Sequence, residues 1–249
     1  MHPARIVIGS DNEKSQEIVG DIYNVLYLIE APFLFSSIET LELVKNASNA
    51  FPATKIAFIN EIAGLNHAMG IDVHDIAKVM GMDGRIGKYF LHAGPAFGGS
   101  CLRKDTKALV KIGQEHGVGM SIVASIIKAN EFQRLRVVHK LELGFVDFKG
   151  KVIAVLGFSF KQRTDDVLES SSIPIALSIP GKRDQVKVFD PQTMENAKRL
   201  YFADVPSVEG NGFDGLHNGD FSTSPFKIMY CVDEYDAAVG TDAIVILTE

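Results

Sequence analysis

Near its start the chain runs Arg5-Ile6-Val7-Ile8-Gly9, apolar without alternation, and this predicts a short buried strand. Asp11 to Leu26 follows as an amphipathic helix, and Pro32-Phe33-Leu34-Phe35 as a second short strand. Ser36 with Glu39 three residues on predicts a capping box that opens a helix. From there to Met69 the pattern stays helical, with apolar residues at Leu41, Val44, Phe51, Ile56, Phe58, Ile59, Ile62 and Leu65. Pro52 should kink or locally break that helix, because it removes a backbone donor and crowds the preceding turn. Gly70 should end it. Helices are also expected over Val73–Met80, after Cys101, and over Met120–Leu143, so the middle of the chain is all-helical.

At Lys151-Val152-Ile153-Ala154-Val155-Leu156-Gly157 the pattern changes to an uninterrupted apolar run, as expected for a parallel strand covered on both faces. Val186 to Asp190 reads as a second strand, with Asp190 as N-cap and Pro191 at the first helical position. Ala243 to Leu247 reads as a third, and 203–227, rich in Gly, Ser, Asp and Pro, as a long surface loop. The expected architecture is α/β, in three parts. Residues 1–35 form a βα remnant of a larger α/β domain, 36–148 a helical dimerisation domain, and 149–249 a doubly wound, Rossmann-like domain.

Composition narrows the class. The 249 residues carry a net charge of −6, with 46% hydrophobic and 22% charged residues, as in an ordinary globular protein. The acidic balance argues against nucleic acid as a main partner. No apolar run is long enough to span a bilayer and none resembles a signal peptide, so a cytoplasmic setting without membrane association is expected. The two cysteines, Cys101 and Cys231, make no disulfide framework, and no Cys/His spacing suggests a metal.

The candidate chemistry lies in Phe97-Gly98-Gly99-Ser100-Cys101-Leu102-Arg103-Lys104-Asp105. Two glycines allow an unusual turn, and the helix after it places Cys101 near free N–H groups that favour a thiolate. Lys104 adds positive charge, and Asp105 lies one turn on, on the same face. A thiol nucleophile with a carboxylate to hold water is one reading, and an inert buried thiol behind a tight turn is the other. Lys45 and Asn49, four apart on one helix, can point at a single site or form a solvated face. His92, nine residues before Cys101, is discounted as a loop histidine, and Cys231 is read as a core thiol.

Taken together, Glu42-Leu43-Val44-Lys45 through Glu61, Gly81-Met82-Asp83-Gly84-Arg85-Ile86-Gly87, the Cys101 block and Val155–Ser172 resemble the nucleotide-sugar dehydrogenases of the UDP-glucose/GDP-mannose family. Phe189-Asp190-Pro191, Met194-Glu195-Asn196-Ala197 and Thr241–Glu249 extend the resemblance. It implies a four-electron oxidation of a sugar C6 alcohol with two NAD, through a cysteine thiohemiacetal and thioester. It further implies Cys101 as nucleophile, Lys45 and Asn49 on the oxyanion, and Asp105 on the hydrolytic water. Phe90, Leu91, Gly98 and Lys161 would hold the nucleotide-sugar, Arg85 would reach the substrate of a partner subunit in a homodimer, and Lys104 would face the cofactor.

UDP-glucose is the expected substrate. GDP-mannose is the alternative, from Ala96 to Leu102, where Ala96 replaces a common glycine. The chain also departs from the family pattern. It has no dinucleotide glycine fingerprint, and Leu168 stands where an arginine is usual, with Arg163 near in sequence. Arg103 stands in place of a proline, and Pro52 in place of an apolar residue. The expectation is therefore a central and C-terminal portion of a dehydrogenase that turns over nothing alone. The alternative is a redox-inactive dimeric nucleotide-sugar binder.

Overall fold

A computed structural model describes residues 3–24, 31–145, 150–179, 185–201, 207–209 and 227–248. Strand β1 (Ile6–Gly9) and β2 (Phe33–Ser36) pair in parallel, with α1 (Glu13–Tyr23) between them. Ile6, Ile8 and Ala31 form a small core with Val19 and Phe33. The helix expected over Asp11–Leu26 is thus present at its start, and its last two residues lie outside the described residues.

Helix α2 (Ile38–Met69) is 32 residues long and runs through Pro52 without a break. Its N-cap is Ser37, whose hydroxyl accepts from the Thr40 N–H, rather than Ser36, which ends β2. The pairing of β2 takes Ser36 into the strand, so the cap falls to the next hydroxyl. The helix ends at Gly70, held at φ 69°, where a side chain would be strained.

The buried face of α2 is also not the one its large side chains suggest. Ala50, Ala53, Ala57 and Ile59 are buried, while Val44, Phe51, Phe58 and Leu65, seven apart, are exposed. The small residues let α4 (Ser100–Glu115) and α5 (Ser121–Gly144) approach closely. In the space that remains, Phe97 packs with Ala53, Ala57 and Ile126. Helix α3 (Val73–Met82) packs on the far end of α2 and leads into the turn at Asp83–Gly87. Lys55 of α2 holds that turn by donating to the carbonyls of Ile86 and Gly87, at 3.0 and 3.1 Å.

The C-terminal part is a five-stranded, fully parallel sheet. Its strands are β3 (Val152–Leu156), β4 (Gln185–Phe189), β5 (Ser207–Glu209), β6 (Lys227–Tyr230) and β7 (Ala243–Ile246). They lie in the order β5-β6-β4-β3-β7. β5 and the start of β6 fall inside the stretch read from the sequence as loop. Gly, Ser and Pro surround them, and at three and four residues each is too short to impose a period.

Helices α6 (Ser172–Ser178), α7 (Met194–Tyr201) and α8 (Glu234–Ala238) complete the layer. Ile153, Val155, Phe158, Val186, Val188 and Ile228 are wholly buried in its core. Asp190 is not the cap of α7, which starts at Met194. Its carboxylate instead accepts from the N–H groups of Gln192 and Thr193, turning the chain toward α7, and from those of Phe158 and Ser159 beyond β3.

Candidate active site

Cys101 is the second residue of α4, in its exposed first turn. The helix begins at Ser100, ahead of the start read from the polar run, because Gly99 takes φ 84° and turns the chain directly into it. A side chain at Gly99 would also meet the Phe160 ring at 2.6 Å, and one at Gly98 the Glu169 carbonyl at 2.9 Å. The two glycines therefore let the cysteine turn lie directly against the loop that follows β3. The Gly99 N–H donates to the Glu169 carbonyl at 3.2 Å. The residue before the turn is fixed as well. Asn130 of α5 bonds both the N–H and the carbonyl of Phe97, at 2.8 and 3.0 Å.

A cleft of about 490 Å³ opens in front of this turn. Cys101, Gly98, Phe90, His92, Phe160 and Lys161 line it. Phe90 is held at φ 64° and Ala96 at φ 150°, regions that L side chains seldom occupy. The φ of Ala96 gives a physical reason for the glycine that the family resemblance leads one to expect there. Lys161 lies over the Phe160 ring, 5.3 Å from its centroid. His92, discounted on sequence, shares the cleft with Cys101, and among the described residues no hydrogen bond joins the two. Its fold neighbours were invisible in the sequence, and the aromatic Phe160 beside Lys161 was the signal available for the opposite wall.

One turn along α4, Asp105 is 1% exposed and gathers the other candidates. Asn49 donates to its Oδ2 at 2.5 Å, Lys45 Nζ lies 3.8 Å from the same oxygen, and Lys104 Nζ 3.8 Å from Oδ1. Lys45 and Asn49 thus do point at one place, and that place is a buried carboxylate. A carboxylate out of water needs such partners, and a single amide with two lysines supplies them. Leu91 is buried and lines a neighbouring cleft with Tyr89 and Met82, not the one in front of Cys101. Arg85 is exposed and lies outside both, its guanidinium paired with Asp83 at 2.6 Å. That ion pair holds the Asp83 carboxyl below its usual value.

Cys231, the other thiol, is buried, and burial, with Asp236 second, pushes it up to about 11. It is a core residue in the neutral form. No dinucleotide cradle forms at the end of β3. The Phe158 and Ser159 N–H groups are given to Asp190, and a side chain at Gly157 would meet Thr248 at 2.7 Å. The residues present there do not fit an NAD pyrophosphate, which needs free N–H groups at such a turn. Among the described residues no group of three His, Cys, Asp or Glu could hold a metal, and no helix is long and apolar enough to cross a membrane.

Comparison with known proteins gives this arrangement a context. Residues 39–132 match the model of the UDP-glucose/GDP-mannose dehydrogenase family, central domain. Residues 154–249 match that of the UDP-glucose/GDP-mannose dehydrogenase family, UDP binding domain. A UDP-glucose 6-dehydrogenase of Rhizobium meliloti is 39% identical over 99% of this chain and 52% of its own length. Another, of Bacillus subtilis, is 35% identical over 100% of this chain and 48% of its own. The solved structure of a UDP-glucose dehydrogenase from Pyrobaculum islandicum superposes with a TM-score of 0.84 at 32% identity, over 99% of this chain and 51% of that one. The chain spans about half the length of the curated relatives it matches. With both regions matched in order and the superposition running through the cysteine turn, the chain belongs to the UDP-glucose/GDP-mannose dehydrogenase family.

Proposed function

We propose that this chain carries the thiol and nucleotide-sugar half of an NAD-dependent oxidation of the C6 alcohol of UDP-glucose to the acid. The observation that carries the reading is Cys101, exposed in the first turn of a helix and facing a cleft whose other wall holds Lys161 and Phe160. An aromatic ring, a cation and free first-turn N–H groups suit a ligand that joins a base and sugar through a diphosphate. The activity for which the relatives are named, UDP-glucose 6-dehydrogenase, supports UDP-glucose as that ligand.

In this reading the Cys101 sulfur adds to the C6 aldehyde left by the first oxidation, giving a thiohemiacetal. Loss of the second hydride, which NAD would accept, turns it into a thioester, and water then breaks the C–S bond to release the acid and return the thiol. Lys45 and Asn49 supply positive charge and a donor to the oxyanion that develops at C6. Asp105 anchors both and is the carboxylate that holds the hydrolytic water. Alcohol-to-acid oxidation removes two hydrides, which NAD would accept, and the turn after β3 offers no cradle for its pyrophosphate.

The same reading makes the chain a homodimer. Val44, Phe51, Phe58 and Leu65 form an exposed apolar row on α2. Phe58 lines one groove with Glu61, and Glu61 lines another with Lys128 and Arg136, whose opposite charges suit an isologous contact with a second copy. In that dimer Arg85, exposed in the turn that Lys55 holds, would reach the partner's cleft.

Calorimetry with the purified chain tests the ligand. UDP-glucose should bind, and Lys161→Ala should weaken it about tenfold, the loss of one charge-assisted contact. Binding of GDP-mannose in preference to UDP-glucose would move the substrate assignment. Binding of neither would overturn the reading for this chain.

A further inference from the structure

Arg103, where the family resemblance leads one to expect proline, sits at the centre of a four-charge cluster that no catalytic step uses. Its guanidinium pairs with Glu169 through one nitrogen and with Glu131 Oε1 through the other, at 3.0 Å. Glu131 passes the contact on to Arg134 at 3.1 Å. Arg134 is buried, and its Nε donates to Ser171 Oγ at 3.2 Å. The Ser171 hydroxyl donates to the Phe97 carbonyl at 3.0 Å, which returns the chain of contacts to the residue before the cysteine turn.

The cluster thus joins three elements: α4 through Arg103, α5 through Glu131 and Arg134, and the loop after β3 through Glu169 and Ser171. Glu169 carries a second mark. It holds φ 55°, a conformation that a non-glycine residue keeps only when its surroundings impose it. Both of its ends are tied to the cysteine turn, the carboxylate to Arg103 and the carbonyl to the Gly99 N–H.

We infer that Arg103 and Glu169 are a positioning pair that latches the loop bearing Phe160 and Lys161 onto the Gly98-Gly99 turn and so sets where Cys101 faces the cleft. An isolated half-exposed ion pair contributes little to global stability. This one spans a joint, where a small local opening moves two walls of the cleft apart. The guanidinium matters as well as the charge, since its planar fork holds two carboxylates through two nitrogens at a fixed spacing. The consequence for catalysis rests on Cys101 being the reacting thiol, whereas the latch itself does not.

Hydrogen exchange by mass spectrometry, on the whole chain well below its melting temperature, separates the two. Arg103→Glu and Glu169→Arg each place like charges at the joint. Each should speed exchange of the Phe97 and Gly99 amides about tenfold, while the Phe158 and Ser159 amides, held by Asp190, keep their rate. The double variant R103E/E169R restores the contact with position 169 but leaves Glu131 facing a carboxylate, so it should recover part of the parent rate. Arg103→Lys, which keeps the charge and loses the fork, should fall between the reversals and the parent. The N-ethylmaleimide reaction of Cys101 should follow the same order. Unchanged exchange in both reversals, or an equal rise at both pairs of amides, would overturn the latch. If a reversal fails to fold, Glu169→Gln and Arg103→Lys carry the same comparison. Exchange that moves as expected while UDP-glucose leaves Cys101 labelling untouched would keep the latch and remove the nucleophile reading.

Discussion

Single residues in this chain report where the backbone is under constraint. Ala96 takes φ 150° in the wall of the cleft, a conformation that costs a non-glycine residue about 1–3 kcal/mol. Ala96→Gly removes that cost and gives back roughly 0.4–1 kcal/mol in unfolded-chain entropy. We expect the variant to be more stable by about 1 kcal/mol in urea denaturation, and no gain would mean that the neighbours relax the strain. The sequence made the departure at Ala96 visible and could not show its cost, since nothing in a one-dimensional pattern gives φ. Helical spacing also paired Lys45 with Asn49 and Cys101 with Asp105, and only the family resemblance joined the two pairs. That Lys45 and Asn49 meet at the Asp105 carboxylate, 1% exposed, required the packing of α2 on α4.

At the scale of elements, the long helices α2, α4 and α5 and the strands β3, β4 and β7 were legible because their apolar patterns are long enough to read, whereas α6, β5 and β6 are too short to impose one. Other differences came where a neighbouring element changed the outcome. Pairing with β1 drew Ser36 into β2 and moved the cap to Ser37, and the approach of α4 and α5 buried the alanines of α2 instead of its phenylalanines. Asp190 is a further case, since its spacing to Pro191 promised a helix cap and the sheet gave it four backbone donors.

Burial alone would raise that carboxyl. The donors, from Phe158, Gln192, Thr193 and Ser159, outweigh burial and hold it below the usual carboxylate value. Its contribution is therefore present above the unfolded value near about 3.9 and is lost as pH falls through the lower folded value. We expect Asp190→Asn to cost about 2 kcal/mol at pH 7, with less difference from the parent as pH drops below about 4. A constant difference across that range in thermal melts would show that the carboxylate charge is not what holds the turn.

The whole molecule is a helical platform carrying a thiol turn, with a parallel sheet brought against it by the loop after β3. Its family membership was readable from the Cys101 block and Lys45–Glu61, while the Arg103 cluster was not, because its four charges come from three separate stretches. The exposed phenylalanines of α2 belong at this scale. Light scattering after size exclusion should show a dimer, and Phe58→Asp should shift it to monomer, whereas a monomeric parent would contradict the assembly. The central claim is that a nucleotide-sugar occupies the cleft in front of the Cys101 thiol. The most direct measurement is the rate at which N-ethylmaleimide modifies Cys101, with and without UDP-glucose, near pH 8, where Cys231 is buried and neutral. Saturable slowing of that reaction by UDP-glucose, lost in Lys161→Ala, is the result expected. An unchanged rate under conditions where calorimetry detects binding would place the ligand elsewhere and contradict the claim.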